Sequence, residues 1–186
     1  MTFIVTVSGK RFDFVDPRPE QICIEDIAHA LAVIPRFVGH SRWPEYGTAY
    51  SVGQHSVHTM ELVMDAGGSV YEQLWALLHD ASEAYMGDCS TPLKRLLPDF
   101  RVIEERVEHA IHNTFGLEHE RPMIVDWADK QALRLEARDL HHQALAAALP
   151  VEGELRQAHP LSAWVPRYTQ VMFLRTYINL KRNLRQ

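Results

Sequence analysis

The chain has 186 residues, 46% apolar and 23% charged, with a formal charge of −5. That length suits one domain with a sizeable core, and no apolar run approaches membrane-spanning length, so neither a membrane-embedded nor a disordered protein is expected. The acidic balance argues against a nucleic-acid polymer as partner, which needs a basic face, but leaves room for a nucleotide, whose phosphates a few cations or a metal can match. Cys23 and Cys89 make no disulfide framework, and MTFIVTVSGKRFDF has no secretory pattern, so a cytoplasmic protein is expected.

In chain order, Phe3–Val7 and Arg11–Val15 alternate with strand period around Ser8-Gly9-Lys10 and predict a hairpin within residues 1–16. Ile24, Ile27, Ala28, Leu31 and Ile34 recur at helical spacing up to Pro35, and residues 37–51 read as a loop containing Arg42-Trp43-Pro44. A helix follows from Val52 to the Gly67-Gly68 stop, then another over about Val70 to Met86. Thr91-Pro92 starts a further turn, Phe100–Phe115 is helical up to Gly116, and a helix runs from Met123 to about Leu149. Between Leu161 and Leu184, the residues Trp164, Tyr168, Val171, Leu174 and Ile178 make one stripe, with Pro166 in the first turn. The sum is an all-α domain spanning 1–186, six or seven helices with a small N-terminal β-hairpin.

The segment Leu77–Asp88, LLHDASEAYMGD, concentrates groups that bind metal or move protons at the end of an apolar run. Ionisable groups aimed at an apolar interior are costly unless paired or bound to a cation, so a buried metal is the simplest explanation. His79 and Asp80 are neighbours and diverge by about 100° on a helix, so one ion can reach both only between helices. The remaining ligands must come from elsewhere: His55 near the start of the preceding helix, and Asp129 in a later apolar-faced helix, with Asp126 one turn earlier as a competitor. Two His and two Asp suit one divalent ion, Co, Mn, Zn, Fe or, less well, Mg. Glu83 follows Asp80 by three residues and shares its face, where it could accept a proton from water. His58 and the pair His109 and His112 are read as surface or supporting residues, and Cys89 lacks an organised partner for nucleophilic work.

The order His55, His79-Asp80, Asp129, with the wording HDASE, GD and TPLK and an upstream Arg-Trp-Pro, resembles the HD-domain metal-dependent phosphohydrolases over about residues 36–140. Within them it is similar to small bacterial 5′-deoxynucleotidases and to phage deoxynucleoside triphosphate triphosphohydrolases. The resemblance implies His55, His79, Asp80 and Asp129 as metal ligands, Glu83 and Asp88 as the acidic residues that handle the attacking water, and Arg42, Trp43 and Lys94 as substrate-binding residues. Arg42 and Lys94 would meet phosphates, and Trp43 would crowd the sugar in favour of deoxyribose. A homo-oligomer is also implied. The expected activity is hydrolysis of deoxynucleotides with release of phosphate or tripolyphosphate. The competing expectations are a non-catalytic nucleotide-binding module and a cyclic-nucleotide or alarmone hydrolase on the same fold.

Overall fold

The computed structural model describes residues 1–42, 48–141, 143–149 and 160–185, with Gln143 described by its backbone alone. Strands β1 (Phe3–Val5) and β2 (Arg11–Asp13) pair antiparallel with Ile4 opposite Phe12, and among the described residues the other regular elements are helical. The all-α architecture with a small hairpin is therefore the one expected from the sequence. Phe12 is the hairpin's inward residue, fully buried and stacked on Tyr85 at 4.0 Å between ring centroids.

Helix α2 (Val52–Asp65) is the element around which the others pack: α1 (Ile24–Val33), α3 (Val70–Leu78), α7 (Met123–Leu140) and α9 (Pro166–Asn183) all lie against it. Every residue from Val52 to Met60 is buried, so the polar Gln54, His55, Ser56, His58 and Thr59 are interior groups. Such groups must find partners, because an unpaired buried polar atom costs about 1–3 kcal/mol. The Ser51 side chain caps α2 by accepting from the Gln54 N–H at 3.2 Å. Gln54 in turn donates to the Ser162 carbonyl (2.7 Å) and accepts from the Trp164 N–H (2.8 Å), which ties the segment before α9 to the central helix. Gly53 sits where α2 crosses α1, and a Cβ there would lie 3.0 Å from the Leu31 carbonyl carbon.

The remaining elements are α4 (Glu83–Met86), α5 (Thr91–Lys94), α6 (Pro98–Phe115) and α8 (Gln143–Ala148), with 3-10 turns at Pro19–Gln21 and Arg36–Gly39. Gly116 closes α6 in the left-handed conformation (φ 74°) that glycine adopts without penalty. Two expected helices are divided. The one expected over 123–149 ends at Leu140, where His141 turns extended, and resumes as α8. The other division, within 70–86, falls in the candidate site. On α9 the inward residues are Thr169, Phe173 and Leu180, whereas Tyr168, Val171 and Ile178 of the expected stripe are about half exposed. Apolar residues occupy two adjacent faces of that helix, and periodicity alone does not choose between them.

Candidate metal centre

Helix α3 stops just before His79, and the chain advances through Ala81 and Ser82 by three-residue hydrogen bonds before α4 begins. The Ala81 N–H bonds the Leu78 carbonyl, and the Glu83 N–H that of Asp80, both at 3.0 Å. His79 and Ser82 both have φ −61° and ψ −30°, values of a 3-10 turn. The sequence led us to expect unbroken helix here; instead the winding tightens at the signature residues. At three residues per turn, positions i and i+3 eclipse, which aligns Asp80 with Glu83 on one side of the segment.

The ring of His79 meets that of His55 from α2, with 3.1 Å between their Nε2 atoms. Asp80 Oδ2 lies 3.2 Å from His79 Nε2 and 3.5 Å from His55 Nε2. From α7, Asp129 Oδ1 lies 3.2 Å from His55 Nε2 and 3.8 Å from His79 Nε2. Both histidines have their other nitrogen committed. His79 Nδ1 donates to the Ala76 carbonyl and His55 Nδ1 to Glu136 Oε1, each at 2.7 Å. With Nδ1 carrying the proton, each neutral ring presents a bare Nε2 to the other, and two lone pairs at that distance repel unless a positive charge lies between them.

The donor set fits a metal. Bonds of about 2.0–2.1 Å to one ion set adjacent ligands about 3.0–3.4 Å apart, close to most of these separations. Among the described residues, His55, His79 and Asp80 form the group that could hold a metal ion; Asp129, expected as the fourth ligand, stands beside the two histidines but outside that group. Electrostatics point the same way. A proton on Nε2 is the other positive charge that can fill this place: burial disfavours a charged His79, yet Asp80 and Asp129 outweigh it and push its pKa up to about 10, so that a metal and a proton compete for the same atoms. For Asp129, burial is overcome by hydrogen bonds from both histidines, which hold it far below the carboxylate range. The cluster therefore favours a cation between these atoms.

Support comes from two residues that the sequence reading passed over. Glu136, fully buried on α7, orients His55, and Arg36 spans the cluster, with Nε 3.3 Å from Glu136 and Nη1 3.4 Å from Asp80. A carboxylate on the outer nitrogen of a metal-binding histidine fixes its tautomer and raises its basicity. Glu136 had a readable signal: it stands seven residues after Asp129, two turns along the same helix face. Arg36 had none, since it follows Pro35 where helical periodicity has ended.

In front of the cluster lies a cavity of about 400 Å³ lined by Arg36, Phe37, Asp80, Glu83, Asp88, Cys89, Ser90, Thr91, Pro92, Lys94, Arg121, Asp129 and Leu133. Glu83 Oε2 is buried without a hydrogen-bond partner, and burial with Asp80 and Asp88 nearby pushes its pKa up to about 9. Burial also raises Asp88, against Arg36 and a bond from the Val38 backbone N–H. That bond depends on an unusual turn: Phe37 (φ 55°) and Val38 (φ 54°) are both left-handed, a costly state for a β-branched residue. Lys94 is on the cavity wall and pairs with Glu104 at 2.6 Å. Arg121 donates to Asp129 Oδ2 at 3.1 Å. Arg42 is not on the wall; it is exposed, its backbone N–H bonded to the Leu140 carbonyl at 2.5 Å, and the arginines beside the cluster are Arg36 and Arg121. Trp43 lies outside the described residues.

No known family profile matches this chain. It is, however, 41% identical over 140 residues to the protein YfdR of Escherichia coli strain K12, covering 75% of this chain and 73% of that one. The chain belongs to the YfdR family. A protein of Rhodobacter capsulatus is likewise 41% identical over 135 residues, 71% of this chain and 67% of its own. Both relatives are uncharacterized proteins by name, so function in this YfdR-family member has to be argued from the site. Among the described residues, no helix is long and apolar enough to cross a membrane.

Proposed function

We propose that this protein is a divalent-metal-dependent phosphohydrolase of deoxynucleotides, with His55, His79, Asp80 and Asp129 as the metal ligands. The observation that carries the reading is the pair of bare Nε2 atoms 3.1 Å apart, framed by two carboxylates at the back of a cavity that also holds an unpartnered carboxyl on Glu83. A divalent ion there supplies Lewis acidity, making water more acidic and a phosphoryl oxygen more electrophilic. The charge of such an ion would offset Asp80 and Asp88 and let Glu83 ionise, so that Glu83 would take the proton from the attacking water and Asp88, held by the Val38 N–H, would orient it. The bond that breaks joins phosphorus to the ester oxygen, and the proton returns to the leaving oxygen. Arg36, Lys94 and Arg121 offset the negative charge that a phosphate brings into an already acidic cavity. Deoxyribose preference rests on the resemblance of the Trp43 segment, and a homo-oligomer on the resemblance as a whole.

A chromatographic product assay across all deoxynucleoside mono- and triphosphates with Mg, Mn, Co and Zn tests this. Inorganic phosphate from a monophosphate identifies a 5′-deoxynucleotidase, and tripolyphosphate from a triphosphate identifies a triphosphohydrolase. No turnover of any of them would sink the reading. Glu83→Gln should lower kcat by about 10²–10⁴-fold while leaving metal content unchanged, as loss of a general base does. If it instead binds nucleotide and turns over like the parent, the protein is a hydrolase by some other base.

A further inference from the structure

The N-terminal hairpin covers one of its two edges and leaves the other open. The Thr6 N–H bonds the Lys10 carbonyl at 2.9 Å and the Phe14 N–H the Thr2 carbonyl at 3.0 Å, so in a register with Ile4 opposite Phe12 the even residues face their backbone groups to β2. Phe3 and Val5 then direct their N–H and C=O groups away from β2, and none of the described residues bonds them. On the outer edge of β2, by contrast, the Asp13 N–H is taken up by the Gln21 side chain at 3.3 Å and the Val15 N–H by Asp13 at 2.8 Å. Folded proteins shield free strand edges by such cover, or by charge, Pro or a bulge. The edge of β1 has no charge and no Pro: residues 1–9, MTFIVTVSG, carry neither, and Val5 and Val7 are 62% and 65% exposed. Beside it runs a groove of about 190 Å³, lined by residues 4–7 together with α1 (Asp26, His29, Ala30) and α4 (Ala84, Tyr85), which leaves room for the side chains of a further strand.

We propose that the β1 edge is an interface between two copies of this chain, paired antiparallel through β1 across a twofold axis at Ile4 to give a four-stranded sheet. The occupant follows from charge and symmetry. An uncharged edge selects an uncharged strand, and a twofold sets each β1 against its own sequence reversed, with Phe3 opposite Val5 and Ile4 opposite Ile4. The outward N–H and C=O groups of Phe3 and Val5 then bond those of the other copy. Across the sheet, Arg11 lies in line with Asp13 of the second copy, so the rows set opposite rather than like charges against each other. A twofold along α9 has no such balance, because residues 160–186 hold Arg167, Arg175, Lys181, Arg182 and Arg185 and no Asp or Glu. The proposal rests on the hairpin alone and is independent of the hydrolase reading.

Sedimentation-velocity mass of the full-length protein tests it. The parent should show an even multiple of the 21.4 kDa chain mass, and V5P, which removes one outward N–H and no β1–β2 bond, half of that. I4K and I4E each set like charges face to face on the axis and should also halve the mass, whereas an equimolar mixture of the two should recover it. V15K, which adds a charge away from the β1 edge, should keep the parent mass, and far-UV circular dichroism checks that every variant is folded. A parent at 21.4 kDa, full mass in folded V5P and I4K, or an I4K and I4E mixture that stays at half mass overturns the proposal.

Discussion

At the scale of single residues, the centre depends as much on Glu136 as on the groups facing the cavity. Glu136 has lost its hydration, and Arg36 and His55 hold it ionised below the usual carboxylate range despite burial. Replacing it by Gln keeps the shape but removes the charge that sets the His55 proton on Nδ1 and balances Arg36. Glu136→Gln is expected to weaken metal binding by about 10–100-fold, the usual effect of losing a partner to a ligand, with the fold retained. Competition for Co²⁺ against a chelating dye measures this, and an unchanged affinity would refute the orienting role. His79 and Asp80 were readable from sequence because they stand together at the end of an apolar run. Arg36 was not, and the arginine singled out instead, Arg42, is exposed six residues further on, because a loop without period gives no means of deciding which side chain turns inward.

At the scale of elements, the close crossing of α1 and α2 sets a limit on sequence. Gly53→Ala drives a methyl against the Leu31 backbone, and neither helix can retreat without opening the core. We expect a loss of about 1–3 kcal/mol, typical of overpacking, visible as a lower urea midpoint. On α6, His112 sets a pH dependence. Its pKa is about 4 when folded against an ordinary 6.5, so as pH falls the unfolded chain takes up the proton first. The stability it contributes is present above about pH 6.5 and drains away between there and about pH 4. In metal-free buffer, His112→Gln should flatten the fall in urea midpoint between pH 7 and pH 5; an identical slope in both proteins would show that other groups govern it. Helix positions were legible from apolar spacing and from Pro and Gly punctuation, as with Pro92, Gly116 and Pro166. The break at His79 was not, since nothing in LLHDASEAYMGD before Gly87 disfavours helix. It follows from tertiary demand, the need to bring His79 and Asp80 onto one point.

At the scale of the whole molecule, the centre joins α2, the α3–α4 junction and α7, so an ion held there ties together elements far apart in sequence. Binding to the folded state alone at 100 times Kd stabilises by about 2.7 kcal/mol, which for a chain of this size raises Tm by roughly 5–10 °C. Chelator should reverse the rise. A Tm indifferent to added Mn, Co or Zn would argue against a stabilising ion at this centre. The all-α class and the hairpin were legible because they rest on local periodicity. Which face of α9 turns inward and which arginine meets the cluster are decided by contacts between distant segments, and one sequence does not display those.

The spread of the cluster along the chain also bears on how the protein is made. A ribosome adding about 5–20 residues per second delivers Asp129 roughly 3–10 s after His79 and Asp80, and Glu136 later still. In that interval the nascent chain offers two imidazoles and one carboxylate without the fourth group or the carboxylate that fixes the His55 tautomer. An ion captured then is held by an incomplete and adjustable set of donors. On the proposed ligand set, the choice among metals would be completed only when α7 docks against α2, late in folding.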